Sequence, residues 1–192
     1  MNKLINGSSY CALTIIGMIF IPVLLFIILL ISGFSSEIKW QIPFAAFFIT
    51  PIVMLVFVDD IKAKIYSLIS ISLIFIISFY CASLFYDNTW DSRAYHADGI
   101  LLLLNGNNPF YEKMVGFDDL WTNHYPKLTW YFASIIIHFT DNFNLGKVFN
   151  PLLAFATICY VFSFLKTREF SSIDSLLLGV AAAINPVFVS QL

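Results

Sequence analysis

What this 192-residue chain lacks most is charge. Only 11% of its residues are Asp, Glu, Lys or Arg, while 59% are hydrophobic. Soluble domains carry about 25% charge. A chain with so little to show to water cannot wrap a soluble core, so the composition points to a bilayer protein. It also lacks a basic excess. Ten Lys and Arg against twelve Asp and Glu leave a net charge of −2, which argues against the basic patch that a nucleic-acid partner would need. Cysteine is scarce too. Cys11, Cys81 and Cys159 all sit in apolar runs with no metal-ligand spacing. They read as small hydrophobes, not as a disulfide framework.

What remains is grease in long blocks. A spanning helix needs about 20 apolar residues. Runs at 11–33, 43–58 and 65–86 qualify, and 148–165 and 175–191 follow with less purity. The expectation is an all-α polytopic membrane protein with about five transmembrane helices. The first run exceeds the about 7–15 residues of a signal-peptide core, and no small-residue cleavage site follows, so it reads as a span that stays. The run LTWYFASIIIHFT, 128–140, is different. At about 1.5 Å per residue it covers about 20 Å of a hydrocarbon core about 30 Å thick, so it is not expected to cross. Charge points the same way. Lys3, Lys62 and Lys64 flank the first three spans as a cytoplasmic N-terminus requires, and Lys166 and Arg168 fall inside only if 128–140 does not cross. The segment 87–147 is then one large external loop. Pro151 and Pro186 read as kinks in later spans.

That loop collects most of the chemistry. All three histidines, seven of the twelve acids and three of the four tryptophans lie in it. Two amphipathic surface helices are expected there. The first starts near Asp91 or Ser92 as N-cap and stops at Asn105-Gly106. At 100° per residue it aligns Asp91, Tyr95, Asp98 and Leu102 beside an apolar face of Ala94, Ala97, Ile100, Leu101 and Leu104. The second follows Pro126 and aligns Lys127, Tyr131, Ser134 and His138. If the two stripes face each other they enclose a polar site at the membrane surface. Plainer readings stand beside this one. Asp91 is also a simple N-cap, Asp98 a solvated acid and His138 an interface residue. Arg93 and Lys113 also suit head-group anchoring. Asn107-Asn108-Pro109 reads as a turn, and Asp118-Asp119 as loop surface.

The stretch WDSRAYHADGILLLLNGNNPFYE, with Asp91, Tyr95 one turn later and Gly106 beyond, resembles the first external loop of the GT-C superfamily of membrane glycosyltransferases. The nearest pattern is that of the dolichyl-phosphate-mannose–protein mannosyltransferases and the bacterial aminoarabinose transferases. HYPKLTWYFASIIIHFTDNFNLGKVFN is similar to the family's second surface helix, and AAAINPVFVSQL to a later span. The resemblance covers 65–192, leaving 1–64 as two extra N-terminal spans. It implies an N-terminal portion of a longer enzyme in a bacterial plasma membrane.

The activity implied is transfer of a sugar from a polyprenyl-phosphate donor to a glycan, lipid or protein acceptor outside the cytoplasm, with inversion. In that reading Asp91 is the general base, and Arg93 and Lys127 face the departing phosphate. Tyr95, Asp98, His124 and His138 contact substrate or position the base. Ser92 stands where many relatives carry a second acid, so no metal ligand or other cofactor is assigned. Two rival classes remain: a non-catalytic membrane subunit or inactive fragment, and a transporter. A transporter would carry its ionisable groups in mid-span, where this chain has almost none.

Overall fold

A computed structural model describes residues 7–34, 37–58, 60–84, 95–116 and 118–184. Among these the chain is all helix and turn: α1 (Gly7–Ile31), α2 (Ile38–Met54), α3 (Ile61–Leu84), α4 (Ala97–Leu104), α5 (Asp119–His124), α6 (Leu128–Thr140), α7 (Phe149–Thr167) and α8 (Ser172–Ala183). Short 3₁₀ turns extend α2 through Leu55–Phe57 and lead into α7 through Phe143–Val148. Among the described residues four stretches are long and apolar enough to cross a membrane: Gly7–Ile31, Ile38–Phe57, Ile61–Leu84 and Phe143–Thr167. The protein is therefore an integral membrane protein. Of the run 175–191, expected as a fifth span, the described residues include α8, only 12 residues long; residues 185–191, with Pro186, lie outside the described residues. Pro151 is the third residue of α7, where its missing N–H would have had no helical partner.

The four long helices alternate in direction, and a few contacts at one end fix this. The Tyr10 hydroxyl, early in α1, donates to the Pro51 carbonyl late in α2 at 2.6 Å. Ser9 meets Ser163, near the end of α7, through their hydroxyls. Gly7 lies against Ser67, early in α3. Lys62 and Lys64 at the start of α3 therefore share one end of the bundle with Lys166 and Arg168 at the finish of α7.

The described residues between α3 and α7, 95–116 and 118–148, meet the other end, where α1 finishes and α2 begins. The Asn108 amide donates to the Leu30 carbonyl at 2.8 Å, and the Tyr111 hydroxyl donates to the Ile31 carbonyl. These carbonyls belong to the last turn of α1, where the Leu30 carbonyl also accepts from Gly33 N–H at 3.0 Å. The turn at Asn107–Pro109 thus closes the end of a spanning helix. It follows a Schellman stop on α4: Asn107 N–H reaches the Leu102 carbonyl and Gly106 N–H the Leu103 carbonyl. Gly106 sits at φ +97, a conformation that side-chain-bearing residues avoid.

The second loop helix differs from the expected picture. A helix resting on lipid by one face keeps the opposite stripe wet, but every residue of α6 from Trp130 to Ile137 is buried. Tyr131 packs on Phe26 of α1, Phe132 on Phe47 of α2 and Phe149 of α7, and Phe139 stacks on Phe44. On another side Gly146 admits Ala133 and Ile137 to contact. So α6 is the plug of the bundle's loop end. Two members of its polar stripe tolerate this burial for different reasons. Ser134 donates back to the Tyr131 carbonyl at 3.0 Å. Tyr131 is buried as a neutral phenol, its pKa pushed up to about 12 by desolvation.

Candidate functional site

Two segments about thirty residues apart build the site. The first enters α4 through a wider turn at Tyr95 and His96. The second runs from α5 to the first turn of α6. Local hydrogen bonds hold that second segment in shape. The Asp118 carboxylate caps α5 by accepting from Trp121 N–H at 3.4 Å. Asp119 accepts from Gly116 N–H at 2.9 Å and from Lys113 at 3.0 Å. The Lys113 ammonium, with that N–H, holds the Asp119 carboxyl below its ordinary pKa. The Asn123 amide donates to the Met114 and Asp119 carbonyls at 2.7 Å each and accepts from Met114 N–H at 3.0 Å. Asp118-Asp119, expected as plain loop surface, thus organises α5.

The segments meet through rings. The buried Tyr95 lies 4.4 Å from His96, 5.2 Å from Tyr125 and 5.9 Å from Trp121, between centroids. Tyr125 stacks on Trp130 at 5.9 Å and meets His96 edge-on at 4.8 Å. The Trp130 indole N–H donates to His96 Nδ1 at 2.7 Å, tying α6 to the entry of α4. Trp121 closes the row at its exposed end. Tyr95 and Trp130 are buried in this cluster, and Trp121 is its exposed ring.

Gly99 makes the meeting possible. A Cβ there would stand 2.5 Å from the Trp130 ring. In an isolated helix Gly→Ala gains about 1 kcal/mol. Here the overpacking of a pinned indole, about 1–3 kcal/mol, exceeds that gain. Gly99→Ala is therefore expected to lower the denaturation midpoint of the detergent-solubilised protein. A midpoint at or above wild type would show that Trp130 yields freely.

Lys127 sits at the N-cap of α6. Its ammonium donates to the Asn123 carbonyl at 2.7 Å and the Tyr125 carbonyl at 3.3 Å, and stands 5.6 Å over the Trp130 ring. Among the described residues it has no carboxylate within ion-pair distance. Desolvation by partial burial lowers its pKa. Such a position favours an anion.

The expected site residues divide as follows. Tyr95 and Lys127 are drawn into the cluster. Asp98 is half-buried in α4, with its carboxylate filling the space where a Cβ on Gly116 would stand. His124 is exposed on the last residue of α5. His138 goes elsewhere: its ring stacks on Trp40 at 4.6 Å and Nε2 meets Glu37 at 3.0 Å, clasping α6 to the start of α2. Asp91 and Arg93 lie outside the described residues. Among the described residues no three His, Cys, Asp or Glu side chains gather as a metal site requires. The residues missed from the sequence are His96, Tyr125 and Trp130. The available signal was Trp130 itself, because a buried indole N–H needs an acceptor.

No protein-family model matches this chain, and neither the search of curated proteins nor that of solved structures returns a match.

Proposed function

We propose that this integral membrane protein belongs to a glycosyltransferase that moves a sugar from a polyprenyl-phosphate carrier to an extracytoplasmic acceptor. The observation that carries the reading is the convergence of Tyr95, His96, Tyr125, Lys127 and Trp130 at one end of the bundle. This cluster lies just downstream of Asp91 in the sequence. The basic residues Lys62, Lys64, Lys166 and Arg168 at the opposite end support a cytoplasmic location there, with the aromatic site outside and α8 continuing as a fifth span. The donor's prenyl tail stays in the bilayer, so its phosphate and sugar stand at the interface beside the loop end.

In the proposed reaction an acceptor hydroxyl oxygen attacks the anomeric carbon as the bond from that carbon to the phosphate oxygen breaks. Asp91 takes the hydroxyl proton. The released lipid phosphate carries the charge, which Lys127 and Arg93 offset. A single displacement inverts the sugar carbon. The other reading of such a chain, a non-catalytic membrane subunit, gives no role to a half-buried cation that has no carboxylate partner among the described residues.

The test is an assay of the full chain in its native membrane or in proteoliposomes, with a panel of polyprenyl-phosphate-linked hexoses, pentoses and aminosugars. The expected result is release of polyprenyl phosphate from one donor class with transfer of its sugar. No consumption of any donor above protein-free vesicles would sink the proposal.

A further inference from the structure

The first turn of α2 carries a cation where helix physics favours the other sign. The N-terminal end of a helix is the positive end of its dipole, and it attracts anions. The first turn of α2 has no acidic residue, and it holds Lys39, which is only 7% exposed. Glu37, at the N-cap, makes no side-chain cap bond; its exposed carboxylate turns to His138 at 3.0 Å. A buried ammonium needs an opposite charge or acceptors. Among the described residues no carboxylate stands within ion-pair distance of Lys39, and no acceptor hydrogen-bonds to its ammonium. What it meets is the Trp40 ring, 5.3 Å from Nζ to the centroid. That ring is held between Phe26 of α1, at 4.8 Å, and His138 of α6, at 4.6 Å. A ring face offsets only part of the lost hydration. The backbone beside it is open as well. Trp40 and Gln41 N–H both donate to the Glu37 carbonyl, while Ile38 and Lys39 N–H, ahead of them, have no acceptor among the described residues. Helical side chains lean toward the N-terminus, which brings the Lys39 ammonium toward those same N–H groups.

We propose that the start of α2 binds the phosphate group of a membrane lipid, with the Lys39 ammonium and the first-turn N–H groups as its donors. Depth selects the ligand. Ile38–Phe57 is one of the spanning stretches, so its first turn stands at the level where lipid head groups carry their phosphates, and a lysine stem can lie along apolar surface while its ammonium reaches that level. One phosphate there answers the dipole, the ammonium and the open N–H groups together. This is not the phosphate assigned to Lys127. The helix α6 is 13 residues long, roughly 20 Å. Lys127 is its N-cap, while His138, which touches Trp40, is in its last turn. The proposal therefore does not depend on the transfer reading.

Lys39→Met tests the site, because methionine keeps the buried stem and drops the charge; Lys39→Gln takes its place if the Met variant does not fold. The full chain is purified in an uncharged detergent, and its thermal midpoint is followed as phosphatidylglycerol, a polyprenyl phosphate or uncharged diacylglycerol is added. Wild type should gain stability from a phosphate lipid and none from diacylglycerol. In the Lys39 variant the apparent affinity for that lipid should fall about 10-fold or more, the value of one hydrogen bond to a charged group. Lys62→Gln, at an exposed position at the other end of the bundle, removes the same net charge and should respond as wild type does. A phosphatidylglycerol response lost with Lys39 identifies a phospholipid head group. A response confined to the polyprenyl phosphate and lost with Lys39 identifies a polyprenyl carrier. Both outcomes support the site. If wild type responds to neither phosphate lipid, if the Lys39 variant responds as wild type does, or if Lys62→Gln loses as much, the proposal is overturned, whatever the sugar-transfer assay gives.

Discussion

Asp91→Asn should abolish sugar transfer while the protein inserts and folds as before. A positioned carboxylate base contributes about 10²–10⁴-fold, and an amide of nearly the same shape cannot accept the acceptor's proton. The expected fall is thus at least about 100-fold in kcat, with donor binding little changed. Removing a charge at the membrane interface does not oppose insertion. The informative control is Asp141→Asn. Asp141 ends α6 with φ 51, a backbone conformation that asparagine adopts as readily as aspartate. It therefore removes one carboxylate from the same loop at no structural cost, and its transfer rate should equal wild type. Transfer by Asp91→Asn at a rate comparable to that control would take Asp91 out of the mechanism. Equal loss in both would assign the effect to loop charge rather than to a base.

The long elements were legible because span length and hydrophobic block length report the same physics. The first three spans and α7 fall within a few residues of the apolar runs. The stop after Leu104 was legible for a local reason: Asn105-Gly106 supplies the left-handed step that ends a helix. That 128–140 forms a helix shorter than a span was legible from the length of its apolar run. The environment of α6 was not. Periodicity placed Lys127, Tyr131, Ser134 and His138 on one stripe, which holds for an ideal helix. It could not show that α1, α2 and the 3₁₀ turn before α7 would close over that stripe.

The same limit governs the site. His138 and Lys127 share a stripe, but the stripe is eleven residues long, and its far end meets α2 through Trp40 and Glu37. Stripe membership does not place two side chains in one pocket. The contact that joins the loop helices, His96 to Trp130, spans 34 residues, and no local rule reports a pairing at that distance. Asn108 teaches the converse. It read as a turn residue, and it is one, yet its amide also satisfies a carbonyl 78 residues away. A turn's composition reveals its backbone; its tertiary partner depends on where the turn is delivered.

Trp130→Ala should be among the most damaging single changes in the protein. The indole is 1% exposed and joins α4, Tyr125 and Lys127 at once. Truncating a buried Trp to Ala costs about 3–5 kcal/mol, and the His96 Nδ1 left behind loses its donor. That is a large part of the about 5–15 kcal/mol that holds a typical domain folded. Trp130→Phe keeps most of the ring and removes only the N–H, so it should cost less, about 1–3 kcal/mol, and remain measurable if the Ala variant does not fold. The decisive comparison is with Gly99. In wild type the three atoms nearest the Gly99 Cβ position all belong to this ring, at 2.5–2.9 Å. Once the ring is gone, Gly99→Ala should turn from harmful to neutral or stabilising, since the helix-propensity gain is then unopposed. Unfolding of the full chain in mixed micelles reads all four variants. If Gly99→Ala is equally harmful with and without the indole, the α4–α6 contact does not hold the loop end together, and the site built on it loses its frame.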